Sequence, residues 1–302
     1  MMSRSSAVSG LALTRDGALL IAAQGDGVSF YNARWPRCGE ALLGHIRDGG
    51  RDAIYLALAA DDTMLFVSDE RSHTIGVIDL AKARASGFTQ EALIGSISVG
   101  MWPVGLAVSP DGNTLFATCQ SISPQLLPHL SMGEYSEDKA LGDLGALLAI
   151  DVQRARTNPP QALIAGVVAG RRPVRVTLSP AGERVYVSAR GSNAVLVFDA
   201  AGVVRKAANP LLATIKVGPS PIGIVADANR LFVACSDRFS NQRFLRRQRI
   251  FVLDVLKIGT DPVLGSIKVG AYPREIHKTV NGKTLLVTNV LSKSLMLIDL
   301  AA

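Results

Sequence analysis

The sequence predicts an all-β fold, a single β-propeller, from three observations. A Gly-x-x-Pro phrase recurs along the chain, an apolar strand ends six times on an acidic or amide residue, and the copies are spaced by roughly 45 residues, the length of a four-stranded blade. The phrase stands as "VGMWPVGLAVSPDGNTLFATC", "AGRRPVRVTLSPAGERVYVSA", "VGPSPIGIVADANRLFVAC" and "VGAYPREIHKTVNGKTLLVTN", anchored at Gly100/Pro103, Gly170/Pro173, Gly218/Pro221 and Gly270/Pro273. An earlier copy, "GGRDAIYLALAADDTMLFVSD", lacks the proline, and "SGLALTRDGALLIAAQ" supplies the latter part of another. Each phrase reads as an irregular turn, a short strand, a polar or glycine turn and a second strand.

A third strand follows, ending at Asn32, Asp79, Asp151, Asp199, Asp254 and Asp299. A fourth, as in "ALIGSISVG", "LLATIKVG" and "VLGSIKVG", leads into the next phrase. Six blade units are recognisable, and a seventh is allowed if one copy is degenerate or lies upstream. The last unit has three clear strands. One domain over 1–302 is expected, with surface insertions near 120–145 and 236–249. Blades should hold almost no helix, whereas the first insertion has room for a short one. Because long surface loops are tolerated more readily than blade strands, deleting most of 122–143 should leave the β-fold intact.

Composition fits a globular chain with many turns: 302 residues, 48% hydrophobic, 19% charged, 28 glycines and 14 prolines. The net charge is +7, with arginines dispersed except near Arg238–Arg249, so nucleic-acid binding is weakly signalled and an acidic small molecule would use the same charge. Cys38, Cys119 and Cys235 are far apart and match no metal-ligand or thiol-redox spacing. No sustained apolar segment reads as a membrane span or export signal, and free cysteines suit reducing surroundings, so a cytoplasmic location is expected. Haem-attachment, zincin, nucleophile-elbow and P-loop motifs are all missing, and no metal or other cofactor is specified.

The last unit, "GAYPREIHKTVNGKTLLVTNVLSKSLMLIDL", resembles the YVTN repeat, with Val287, Thr288 and Asn289 in its name-giving segment and Ile298 and Asp299 at the strand ending. Related copies cover residues 8 through 300. The resemblance implies a propeller more specifically than an activity. The broad class includes binding proteins and proteins near the bacterial lactonase-like propellers, which commonly have seven blades.

Propeller topology puts the loops before each first strand and those between second and third strands on one face. That mapping gathers Arg51, Asp52, Trp102, Arg172, Arg175, Tyr272, Arg274 and Glu275 as candidate ligand-binding residues. Aligned first strands place Gly10, Tyr55, Gly105, Arg175, Gly223 and Glu275 at one position, where Arg175 and Glu275 form either a structural salt bridge or a charged recognition pair. His277, two residues after Glu275, falls on the same side of a regular strand and joins Glu275 as a candidate general base. Trp102 and Tyr272 occupy equivalent turns and read either as packing or as an aromatic ligand surface. Two functions stay open. One is a noncatalytic propeller binding a small organic ligand or a protein on its loop-rich face. The other is a lactonase-like hydrolase with Glu275 or His277 as base and Arg175 stabilising an oxyanion.

Overall fold

The computed structural model describes residues 8–34, 41–132, 143–236, 248–279 and 281–301. They form the six antiparallel sheets of a β-propeller. Blade 1 spans 8–47, blade 2 53–98, blade 3 101–168, blade 4 173–216, blade 5 221–268 and blade 6 273–299. Four blades run in the order first, second, third, fourth strand. Blade 3 carries a fifth, two-residue strand, Leu130–Ser131, and blade 6 has three strands.

By contact, the chain divides into two compact units, residues 1–130 with 148–166 and residues 131–147 with 167–302. In the first unit, Ile21, Val28 and Phe30 of blade 1 pack with Leu65, Val67 and Ile78 of blade 2. In the second, Val195 and Val197 of blade 4 pack with Leu231, Val233 and Leu253 of blade 5. Phe232 and Ile250, on the other side of blade 5, pack with Ile276, Leu285 and Val287 of blade 6. A blade covered on both sides needs strands that are apolar throughout rather than alternating, which is why "AVLVF" is buried over its whole length. Each such Val, Leu, Ile or Phe contributes about 1.5–3 kcal/mol.

The acidic residue closing the third strand has a local task that the sequence reading left unexplained. Asp79, Asp151 and Asp199 cap short helices at Leu80–Ala85, Val152–Thr157 and Ala200–Val204, their carboxylates accepting from Lys82 N (2.9 Å), Arg154 N (2.9 Å) and Gly202 N (3.0 Å). Asp254 accepts from Leu256 N at 2.9 Å and starts a single 3-10 turn. These short helices between third and fourth strands are a small addition to the mostly β blades that were expected. No helix among the described residues is long and apolar enough to cross a membrane.

The first insertion is also more than a surface loop. Its described part forms a 3-10 helix, Pro124–His129, and buries Ile122, Leu126 and Leu130. Leu126 fills the space over Gly100, where a Cβ would come 2.5 Å from Leu126 Cδ1. Deleting most of 122–143 would thus remove core, contrary to the expectation above. Most of the second insertion lies outside the described residues, as does Cys38.

Candidate ligand-binding site

The first strands of blades 2 to 6 begin in one recurrent backbone geometry. Asp52, Trp102, Arg172, Ser220 and Tyr272 all hold a left-handed conformation, with φ of 61°, 55°, 49°, 47° and 58°. Four of them were candidate site residues. Recurrence in five blades assigns this strained turn to blade architecture rather than to one active position.

A β-bulge follows, between Pro173 and Arg175 in blade 4 and between Pro273 and Ile276 in blade 6. The bulge takes the Arg175 and Glu275 N–H groups out of the ladder, and second-strand hydroxyls accept them: Ser188 Oγ at 3.1 Å and Thr288 Oγ1 at 3.1 Å. Ser188 in turn donates to Ile222 O of blade 5 at 2.7 Å. Blade 5 has Gly223 at this register, where a Cβ would meet Arg274 O at 2.6 Å. With no blade 5 side chain in the way, Arg175 of blade 4 reaches Glu275 of blade 6.

The contact is bidentate. Arg175 Nε donates to Glu275 Oε2 at 3.2 Å and Nη2 donates to Oε1, while Nη1 donates to Val174 O at 3.1 Å. Arg274 Nε stands 3.7 Å from the same Oε1. Arg175 is 4% exposed; the Glu275 side chain keeps 20% and that of Arg274 38%. Two guanidiniums facing one carboxylate leave the cluster one net positive charge.

The remaining candidates separate. The Tyr272 ring is buried with Val174 and Ile222, so its aromatic face packs instead of lining the surface. Arg172 is exposed. His277 is exposed too, and no hydrogen bond or ion pair joins it to Glu275 among the described residues; the bulge breaks the regular alternation on which their pairing was inferred. In the first unit, Asp52 pairs with Arg71 at 2.6 Å and Arg51 is exposed. Trp102, 42% exposed, makes an edge contact with His73 at 6.4 Å between ring centroids, and its backbone N–H donates to His73 Nδ1 at 3.2 Å. Glu70 Oε1 accepts from Gln120 Nε2 at 3.0 Å. His73, Arg71 and Gln120 were not singled out from sequence; His73 could have been, since it occupies the second-to-third-strand turn that the topology raises on the loop-rich face.

A buried acid pair was also missed. Asp48 and Asp69, 1% and 0% exposed, set their carboxyls together, and Asp48 Oδ2 and Asp69 Oδ1 receive no hydrogen bond from other groups. Burial, then the Asp48 charge, pushes the Asp69 carboxyl up to about 9; burial also raises Asp48. The pair therefore keeps a proton at neutral pH. The sequence signal was available: Asp69 holds the place taken by Cys119, Ala189, Cys235 and Asn289 in other blades. Cys119 and Cys235 are buried free thiols, each pushed up to about 12 by burial.

A shallow depression of about 260 Å³ lies at the opposite strand ends of the first unit, lined by Leu13, Arg15, Ala60, Asp62, Val108 and Pro110 among others. Nothing in the sequence reading pointed there.

No protein-family model matches the chain, and no curated protein matches it in sequence. Solved structures do match in fold. A putative 6-phosphogluconolactonase from Bacteroides uniformis is 18% identical with a TM-score of 0.67, over 96% of this chain and 80% of that one. Another, from Bacteroides fragilis, is 15% identical with a TM-score of 0.71, over 99% and 82%. A chain of the mitotic checkpoint complex reaches the same TM-score at 12% identity, over 99% and 76%. At these identities the likeness is one of fold, shared by proteins of unrelated function.

Proposed function

We propose that the protein is a noncatalytic β-propeller of the YVTN-repeat kind that binds a small organic anion where the first strands of blades 4 and 6 begin. The observation that carries this reading is the Arg175–Glu275–Arg274 cluster and its net positive charge. Glu275 neutralises the buried Arg175 and fixes its fork. Arg274, partly exposed, can turn from Glu275 to a carboxylate or phosphate, and Arg172 adds charge beside blade 4. A general base has to be available to accept a proton, whereas both oxygens of Glu275 face Arg175 and His277 is not bonded to it, which favours binding over catalysis.

The second reading is a lactonase-like hydrolase, favoured by the two neighbours named putative 6-phosphogluconolactonases. A phosphorylated sugar lactone is both an anion and an ester. In that reading Arg172 and Arg274 take the phosphate, Glu275 or His277 removes a proton from water, and water attacks the lactone carbonyl. Arg175 stabilises the oxyanion, and the ring oxygen leaves as an alkoxide that takes up the proton.

One pair of measurements tests both. Calorimetric titration with 6-phosphogluconate should show saturable binding, weakened about tenfold, about 1.4 kcal/mol, by Arg274→Ala. Arg249→Ala, which removes an exposed arginine bonded to Ser266 across the outer strands of blade 5, should leave it unchanged. Lactone hydrolysis should stay at the spontaneous rate. Turnover that Glu275→Gln abolishes while binding persists would establish the second reading, and absence of both binding and turnover would overturn the two together.

A further inference from the structure

In blades 1 to 3 another part of the chain covers the outer edge of the fourth strand. In blade 1, Phe88 from the third-to-fourth-strand connection of blade 2 lies over Gly44, where a Cβ would come 2.8 Å from Phe88 Cβ. Gln90 of the same connection joins the strand edge: its Oε1 accepts from Arg47 N at 3.1 Å and its Nε2 donates to Arg47 O at 2.6 Å. In blade 2, Pro159 from the corresponding connection of blade 3 is buried over Gly95, where a Cβ would stand 3.4 Å from Pro159 Cγ. Blade 3 carries its fifth strand at this edge.

Blade 4 lacks such a cover among the described residues. The connection that would supply it, in blade 5, is short: residues 255–262, against 80–92, 152–162 and 200–210 in blades 2, 3 and 4. It makes a single 3-10 turn, Val255–Lys257, and leaves a groove of about 420 Å³ beside the outer strand of blade 4, Leu211–Lys216. Leu212, Ala213 and Ile215 line one side of the groove, and Gly259, Thr260 and Pro262 the other. Its volume is within the roughly 300–1,000 Å³ usual for ligand clefts. All of these residues belong to the second compact unit.

We infer that this groove docks a proline-bearing, uncharged segment of a partner protein. The covers of the other blades are the template, and residue 213 chooses between them. Ala213 pairs with Val197 as Gly44 pairs with Phe30 and Gly95 with Val77, so the three hold one place in their blades. A Cβ at that place collides with an occupant set like Phe88, but is in ordinary contact with one set like Pro159. The charged residues lining the groove are Lys216 and Asp261, one of each sign, which suits a segment without net charge, as the stretch from Asn158 to Gln161 is. Proline also arrives with φ already fixed, so less conformational freedom is lost on docking.

Fluorescence anisotropy of the full chain with a fluorescein-labelled peptide Thr-Asn-Pro-Pro-Gln-Ala, the sequence of residues 157–162, tests this. Binding should saturate, and should weaken about tenfold or more when serines replace both prolines. Ala213→Trp and Thr260→Trp fill the groove from opposite walls, and each should weaken binding by about the same factor. Arg15→Ala, in the depression of the first unit, should leave it unchanged. Circular dichroism establishes that the variants are folded, and Thr260→Trp, at an exposed position, carries the test if Ala213→Trp disturbs the sheet. A wild-type chain that shows no saturable binding overturns the inference, as does binding that the folded groove variants retain. Equal affinity for the serine peptide overturns the assignment to proline. Wild-type mass that rises with concentration in light scattering, and stops rising in Thr260→Trp, would put a second copy of the chain in the groove instead.

Discussion

Gly50 lies flat against the Asp69 carboxyl, so closely that a Cβ at residue 50 would come 2.0 Å from Asp69 Cγ. The same relationship sets Gly100 over Cys119, Gly218 over Cys235 and Gly270 over Asn289. The glycine of the repeated phrase therefore packs on one second-strand residue of its own blade, joined by Leu126 over Gly100 and Phe251 over Gly218, and has no need of a bound phosphate to explain it. In blade 2 that residue is an acid, and it meets a second acid, Asp48.

Stability should fall as pH rises. Asp69 holds its proton up to about 9 when folded, against an ordinary value of 3.8, so between these values the folded state binds more protons than the unfolded one. The contribution is full below the lower value and is lost as pH climbs to the upper. Asp69→Asn should flatten the profile and, near pH 9, exceed wild type by on the order of 1–3 kcal/mol, the cost of a buried unsatisfied charge. Urea unfolding across this range checks it; an identical slope in both proteins would contradict the retained proton.

Breaking the Arg175–Glu275 pair should be asymmetric. Glu275→Ala removes the carboxylate that neutralises the 4% exposed Arg175 guanidinium, with Arg274, another cation, close by, and should cost about 3–5 kcal/mol. Arg175→Met removes the buried charge and leaves a carboxylate that Arg274 can still meet, so its cost should be clearly smaller. Denaturant midpoints of the two variants decide the order.

Leu126→Ala should destabilise by about 2–5 kcal/mol, as for other fully buried leucines, because Leu126 fills the space above Gly100. A thermal scan within experimental error of wild type would return this segment to the status of a surface loop.

Asp151→Ala should cost about 1 kcal/mol by removing the cap of the helix Val152–Thr157, and Asp151→Asn should recover most of it, since the amide oxygen still accepts from Arg154 N. Chemical denaturation of both variants tests the assignment of the repeated acid to capping.

The site was legible only in outline. Alignment of the first strands put Arg175 and Glu275 at one register although they are 100 positions apart, and the structure joins them. For His277 the strand alternation assumed a regular strand, and for Tyr272 the equivalence of the turns left packing and ligand contact both open. A bulge interrupts the alternation, and Val174 of blade 4 and Ile222 of blade 5 enclose the Tyr272 ring. Asp48 and Asp69 went unnoticed because each is an ordinary acid in its own segment and becomes unusual only when a buried partner is brought against it.

The sequence by itself determined the repeating unit, its antiparallel strand order and the six sheets, because apolar runs, turn glycines and capping acids act within a few residues of where they stand. Tertiary structure decided which charges are buried and paired, and that part of the first insertion belongs to the core. Burial and electrostatic coupling depend on what lies across a blade interface, and residues distant in the chain supply it.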